Sequence, residues 1–353
     1  MAHVQKLKYT SKRTGKETTA WQARYTATDG RERTKRFQRK ADAEKWLHVN
    51  EADIVKGEWI DPTASQLRFA EWAEEWKGTT VDLRPSTRVR DLDYLGRYIL
   101  PTFGGRTLGQ IEHMAVQAWV STLTTSGPPP WWDTTDQPRR QARPLAPSTA
   151  VKAAQILGKI MATAVRAGKI RSNPCAGIKL PKVEHQEMRF LTPAEVDTLA
   201  DAIHPRYRAL VLVAAYGGLR IGELAGLRRA RIDIPRGRVD VAEIVVEVAG
   251  VLTYGKPKTH AGRRSVTLPR TVVNALNGHL ADFTVADPDA FVFTGPEGGP
   301  LRVPIWRQRY WQPAIAAAGV APLRPHDYPD LRVIPTSGSR GCSVGVTATA
   351  RSA

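Results

Sequence analysis

Cysteine is nearly absent from this chain. Cys175 and Cys342 alone form neither a disulfide framework nor a zinc site, so the fold must be held by packing rather than by staples. Long apolar runs are missing too: none approaches the roughly 20 residues that a membrane-spanning helix needs, and the first residues carry no signal-like apolar stretch. Acidic side chains are in deficit, 34 Asp and Glu against 52 Lys and Arg, which leaves a formal net charge of +18. That excess favours a polyanionic partner through phosphate neutralisation and counterion release. No basic amphipathic helix with an apolar anchoring face stands out, which argues against a membrane surface as that partner. What is present suits a globular protein. At 353 residues and 42% hydrophobic content, the chain can build two or three cored domains.

Residues 1–62 read as a basic module. Trp21 to Ala27 alternates as a strand, Asp29-Gly30 is a hairpin signal, and Arg33 to Phe37 returns as the next strand. Lys8 to Thr18, with Gly15, supplies a preceding strand and turn. From Ala41 the spacing of Ala43, Trp46, Leu47 and Ile54 predicts a helix. A three-stranded sheet carrying Arg24, Arg33, Lys35 and Arg36 is suited to reading DNA.

Residues 66–180, after an Asp61–Ser65 linker, are expected to form an all-helical bundle. Phe69, Trp72, Ala73 and Trp76 mark one amphipathic helix. Pro85-Ser86-Thr87 opens a second, with Leu92, Leu95, Tyr98 and Ile99 inward and Pro101 as its end. Leu108 to Leu123 make a third. A Pro- and Gly-rich loop, Ser126 to Pro147, precedes a last helix, Val151 to Arg166, which Ser148-Thr149 are expected to cap. Helix starts with hydroxyls (Ser86, Thr87, Ser148, Thr149) beside cations (Arg84, Arg88, Arg90, Lys152, Lys159) can present N–H groups and positive charge to phosphates.

Residues 187–332 contain the most specific stretch. Leu191-Thr192-Pro193-Ala194-Glu195 is a strong helix start. Leu210 to Ala215 is a continuous apolar run leading into Gly217-Gly218, and a new helix begins near Arg220. Glu223, three positions on, shares a helical face with Arg220. An always-charged guanidinium in a fixed pose suits recognition of one phosphodiester. Asp233 to Val251 alternates as two strands around Arg236-Gly237. Lys256 to Pro269 reads as a hairpin with a basic tip, on which Lys256, Lys258, Arg263 and Arg264 are all able to grip a phosphate. Helices are predicted over Thr271–Phe283 and Arg307–Ala318, with a short strand at Phe291-Val292-Phe293.

Tyr216-Gly217-Gly218-Leu219-Arg220-Ile221-Gly222-Glu223-Leu224 resembles the first catalytic box of the tyrosine recombinases, the phage-integrase family. Residues 1–62 are similar to that family's arm-binding domain. Residues 66–180, with the Asn173-Pro174 exit and the Leu180-Pro181-Lys182 linker, are similar to its core-binding domain. The resemblance implies a multidomain α+β architecture: a small sheet-plus-helix module, a helical bundle, and a mainly α catalytic domain with a β-hairpin. It implies DNA breakage and rejoining without metal or nucleotide cofactor. The implied roles are Arg220 as phosphate clamp, Glu223 as its positioning partner, Lys258 as general acid and His326, in Leu323-Arg324-Pro325-His326-Asp327, as phosphate ligand.

The resemblance breaks after Asp327. Pro329 stands where the family has its second arginine, and Arg332 follows three residues late as a displaced candidate. No Leu-Gly-His box follows, and no tyrosine follows Tyr328, whereas the family's nucleophile is a tyrosine near the C-terminus. The catalytic domain is therefore expected to be incomplete at its C-terminus. Residues 333–353 lack apolar periodicity, are expected to be disordered, and resemble translation in a shifted frame; resequencing the gene past the Asp327 codon checks this. The sequence leaves three readings open: an integrase lacking its nucleophile, a non-catalytic DNA-binding protein on attachment-like sites, or a gene remnant. Expected partners are double-stranded attachment-type DNA, further copies on DNA, an intact integrase and DNA-bending accessory factors, with no membrane. The expected location is the host cytoplasm, at the nucleoid.

Overall fold

The computed structural model describes residues 2–10, 17–57, 59, 61, 63–128, 143–184, 190–257, 262–321 and 323. The chain divides into two compact units, Met1–Val183 and Glu184–Ala353.

The first unit opens with an antiparallel sheet, β1 (His3–Thr10), β2 (Glu17–Thr26) and β3 (Glu32–Phe37), in the order β1-β2-β3. Helix α1 (Lys40–Lys56) packs on one face, burying Ala43 and Leu47 against Ala23. Gly30 takes φ 76° in the β2–β3 turn, the left-handed geometry that the Asp-Gly signal anticipates. Tyr25, fully buried, donates its hydroxyl hydrogen to Asn50 and accepts one from Trp59. Burial pushes the Tyr25 pKa up, so this hydroxyl stays a donor.

A second core in the same unit is all helical. Helix α2 (Phe69–Gly78) buries Phe69, Trp72, Ala73 and Trp76, the four residues that its spacing singles out. Trp72 donates its indole N–H to the carbonyl of Ile160, 3.2 Å away on helix α6 (Pro147–Arg166). Helix α3 (Pro85–Tyr94) does not stop at Pro101: it runs through a π turn (Leu95–Ile99) into α4 (Leu100–Phe103). The wide turn shifts the hydrogen-bond phase, so the N–H that Pro101 lacks falls at a helix restart, where none is needed. The third predicted helix also begins late. Leu108–Gln110 is a 3-10 turn with a Thr107/Gln110 capping box, and α5 runs His113–Thr125.

Ser86, Thr87, Ser148 and Thr149 do not cap their helices. Pro85 and Pro147 occupy the first turns, which moves the caps back to Arg84 and Ala146, where no side-chain cap bond forms.

In the second unit, Thr192 and Glu195 make the expected reciprocal capping box of α7 (Pro193–Ala202). Helix α8 (Pro205–Gly217) is buried along almost its whole length and forms the centre of the core. Helix α9 (Ile221–Ala225) follows. The strands differ from expectation. β4 (Ile232–Asp233) and β5 (Arg238–Val241) do turn at Gly237, φ 61°, but β5 pairs next with β8 (Arg264–Thr267). β6 (Ile244–Val248) and β7 (Val251–Gly255) form a separate ribbon. The 256–269 stretch is therefore not a hairpin of its own, because its flanking strands belong to two different sheets. Ala249 and Gly250, both at positive φ, close β6 onto β7 in a two-residue turn, so β7 finds its partner locally.

Helix α10 (Arg270–Asp282), α11 (Val303–Trp306), a π turn (Arg307–Trp311) and α12 (Gln312–Ala317) complete the described unit. Phe291 and Thr294 make isolated bridges rather than the expected strand. The predicted tail lies outside the described residues.

Candidate phosphate-binding site

The site begins with a backbone requirement. Helix α8 ends at Gly218, φ 60°, whose N–H bonds back to the Ala214 carbonyl. Gly217 is needed for closeness: a Cβ there would lie 2.9 Å from side-chain carbons of Leu219 and Leu268. Leu219 is fully buried, so the next residue, Arg220, is held at the start of α9 as its N-cap. Gly222 and Gly226 let α9 approach the β6 backbone; at Gly226 a Cβ would meet the Ile244 Cα at 3.0 Å and the Glu243 carbonyl at 3.1 Å.

Glu223 is the centre of the constellation. Its side chain is 2% exposed. Its Oε2 accepts from the Arg220 backbone N–H (2.9 Å) and from Arg264 Nη2 (3.0 Å). Its Oε1 accepts from Arg220 Nη1 (3.2 Å) and Arg264 Nη1 (3.2 Å). Arg264 also donates from Nη2 to the Gly218 carbonyl (3.0 Å) and from Nη1 to the Gly262 carbonyl (3.4 Å). A carboxylate taken out of water is tolerated when its oxygens are bonded and its charge is matched, and both conditions hold here. The Arg220 side chain, by contrast, is 64% exposed and bound to Glu223 through Nη1. The turn thus presents a guanidinium pinned at Nη1 with most of the side chain in solvent.

Arg263, next to Arg264 in the chain, lines a recess of about 390 Å³ with Arg231, Val241, Ala242, Glu243 and Lys256. Lys258, His326 and Arg332 fall outside the described residues, so their placement relative to Arg220 is not part of the described geometry. Of the predicted catalytic set, the structure brings together Arg220 and Glu223.

The basic residues of the first unit separate by environment. On the β2–β3 sheet, the antiparallel register pairs Gln22 with Arg36 and Arg24 with Thr34, which puts Arg24 and Arg36 on the face opposite α1. Arg24 is bound to Glu32 at 2.9 Å. Arg33 and Lys35 sit on the α1 side: Arg33 is held by Asp29 and Asp61, and Lys35 lies 5.4 Å from the Phe37 ring. The Thr63 amide and hydroxyl, followed by Arg33, hold the Asp61 carboxyl below the usual range.

In the bundle, Lys152 belongs to a cluster with Arg90, Asp91 and Lys159. Asp91 is buried on α3, with Arg90 at 2.7 Å and Lys159 of α6 at 3.3 Å. Partial burial, then the neighbouring charges of Arg90 and Lys159, push the Lys152 pKa down. Arg84, Ser86 and Thr87 lie at the first turn of α3, and Ser148 and Thr149 at that of α6. The sequence contains no signal for the Asp91 anchor or for the Arg264–Glu223 link, because both partners are remote in the chain.

Comparison with known proteins bears on the family and the fold. Residues 189–332 match the phage integrase family, residues 68–124 its N-terminal SAM-like domain, and residues 18–56 the phage integrase N-terminal domain. A putative prophage phiRv2 integrase of Mycobacterium tuberculosis is 30% identical over 317 residues, covering 87% of this chain and 79% of that protein. The integrase of Mycobacterium phage L5 is 28% identical over 302 residues, 82% of this chain and 76% of its own length. Among solved structures, a Tn1549 transposon integrase in complex with a circular intermediate DNA aligns with TM-score 0.61 at 16% identity, over 75% of this chain and 85% of that one. A lambda integrase tetramer bound to a Holliday junction aligns with TM-score 0.54 at 15% identity, over 92% and 89%. The family match and the 30% identity to the phiRv2 integrase over most of both chains lead to one conclusion: this chain belongs to the phage integrase family of tyrosine recombinases.

Proposed function

We propose that this chain is a phage-type integrase that binds attachment-type duplex DNA and, as it stands, does not cleave it. The observation that carries the reading is the Arg220 guanidinium, held by buried Glu223 through Nη1 and through the residue's own backbone N–H, while its side chain stays 64% exposed. Such a guanidinium matches the non-bridging oxygens of one phosphodiester and stabilises the charge that develops on them during strand transfer. In that reaction a phenolic oxygen attacks phosphorus, the deoxyribose 5′-oxygen leaves with a proton from a general acid, and a phosphotyrosine remains. Lys258 is the proposed acid, His326 and Arg332 the proposed further phosphate ligands. The sequence has no tyrosine after Tyr328 to act as nucleophile.

The division of labour follows the charges. Residues 1–62 serve as arm-type DNA reader, with Arg24 and Arg36 on the open sheet face. Residues 66–180 grip core-site DNA through Lys152 and its neighbours, supported by Arg84, Ser86, Thr87, Ser148 and Thr149. Residues 187–332 hold the scissile phosphate, with Arg263 on a flanking one. Further copies, an intact integrase and DNA-bending factors are the proposed partners on DNA, in the host cytoplasm at the nucleoid. Among the described residues no helix is long and apolar enough to cross a membrane.

The test is selection of bound fragments from host and phage DNA, followed by challenge with nicked substrates that trap covalent intermediates. Specific, salt-sensitive retention without a covalent adduct is the expected result. A protein–DNA adduct would overturn the absence of cleavage, and no selective retention would overturn DNA recognition altogether.

A further inference from the structure

Arg220 and Arg264 share one carboxylate, and they share it unequally. Arg264 gives Glu223 two N–H bonds, one to each oxygen, and secures its own pose through the Gly218 and Gly262 carbonyls. Arg220 gives Glu223 a single guanidinium N–H, from Nη1, beside its backbone N–H. The exposures follow: the Arg264 side chain is 30% exposed and that of Arg220 64%. A carboxylate with 2% exposure that faced Arg220 alone would draw its guanidinium into a bidentate pair, since two parallel N–H···O bonds are the favoured geometry of such ions. Arg264 occupies that position instead.

We infer that Arg264 is a positioning residue that neutralises Glu223 and so limits its hold on the Arg220 guanidinium to Nη1, leaving the remaining N–H groups for a phosphodiester. The inference rests on the phosphate-clamp reading above for its purpose, but its physical content is local to three side chains. It assigns Arg264, on the strand that follows the basic 256–263 stretch, a role different from gripping DNA itself. It also explains why a strand of the other sheet is tied to the Gly218 turn: the residue that sets the charge of the clamp is supplied from 41 positions away.

The test compares the wild-type chain with Arg264→Gln, Arg264→Lys and the double variant Glu223→Gln/Arg264→Gln. The first readout needs no DNA: the rate of phenylglyoxal modification at Arg220, followed by mass spectrometry of its peptide. In Arg264→Gln, Glu223 should capture the Arg220 fork and slow modification roughly threefold to tenfold, the effect of one further charge-assisted hydrogen bond at a partly exposed site. Arg264→Lys keeps a neutralising charge and should stay near the wild-type rate. The double variant removes the capturing carboxylate and should recover it. A merely structural role predicts the opposite sign, because a loosened turn exposes Arg220 and speeds modification. An unchanged or raised rate in Arg264→Gln, or no recovery in the double variant, overturns the inference.

The second readout is DNA retention by the same proteins, expected to fall in Arg264→Gln and return in the double variant. Should the wild-type chain retain no DNA while the modification rates behave as stated, the functional reading fails and the role of Arg264 in freeing Arg220 stands.

Discussion

Glu223→Ala tests the energetics of the constellation most directly. The substitution removes an acceptor of four N–H bonds at 2.9–3.2 Å. Among the described residues it leaves the Arg264 guanidinium, 30% exposed, with the Gly218 and Gly262 carbonyls, and places two cations beside an empty site. Breaking a buried pair by removing one partner costs about 3–5 kcal/mol. Here Arg220 rehydrates readily, since 64% of its side chain already meets water, so the lower end applies, about 3 kcal/mol. For a unit of this size each 1 kcal/mol moves Tm by about 2–4 °C, which predicts a drop of roughly 6–12 °C. Calorimetry of the full chain should show this drop in the transition of the second unit alone. Glu223→Gln retains volume and an acceptor for the Arg220 backbone N–H, and should lose about half as much. A Glu223→Ala transition within about 2 °C of wild type would refute the premise that the carboxylate holds the turn together.

Three further outcomes are expected. Gly226→Ala forces a methyl group against the Glu243–Ile244 backbone at 3.0–3.1 Å; overpacking of this kind should destabilise the second unit by about 1–3 kcal/mol in urea melts. His279 is buried, and its Nε2 lies 2.8 Å from the Val292 carbonyl, while burial lowers its pKa, so the folded state takes up its proton later than the unfolded state. Its contribution is present above the unfolded pKa, near 6.5, and is lost as pH falls from there towards the lowered folded value; His279→Gln should flatten that acid limb in Tm-versus-pH curves. Replacing Lys152 or Lys159 with Gln should reduce the slope of log affinity against log salt by about 1 for each phosphate no longer neutralised, measured on a selected duplex, with no slope change if those lysines never meet DNA.

Local chemistry was legible in the sequence wherever one segment carried its own answer. The Thr192/Glu195 capping box, the glycine stop after α8, the hairpin turn at Gly30 and the four inward residues of α2 each depend on neighbours a few positions away. Arg220 and Glu223 were legible for the same reason, being one helical turn apart. Prolines misled where tertiary structure intervened. Pro101 looked like a stop, but a π turn absorbs it, and Pro85 and Pro147 displaced the expected hydroxyl caps.

Composition, charge and the Tyr216–Leu224 box determined the class of molecule, because they express which side chains can meet phosphate at all. Tertiary structure alone decided which strands pair: β5 closes onto β8 across the intervening β6–β7 ribbon, a pairing between segments remote in the chain. That pairing carries Arg264 to Glu223, and Asp91 reaches Lys159 by the packing of α3 on α6. In both cases a buried carboxylate selects its cation by proximity in space, an interaction with no period or spacing along the chain to announce it.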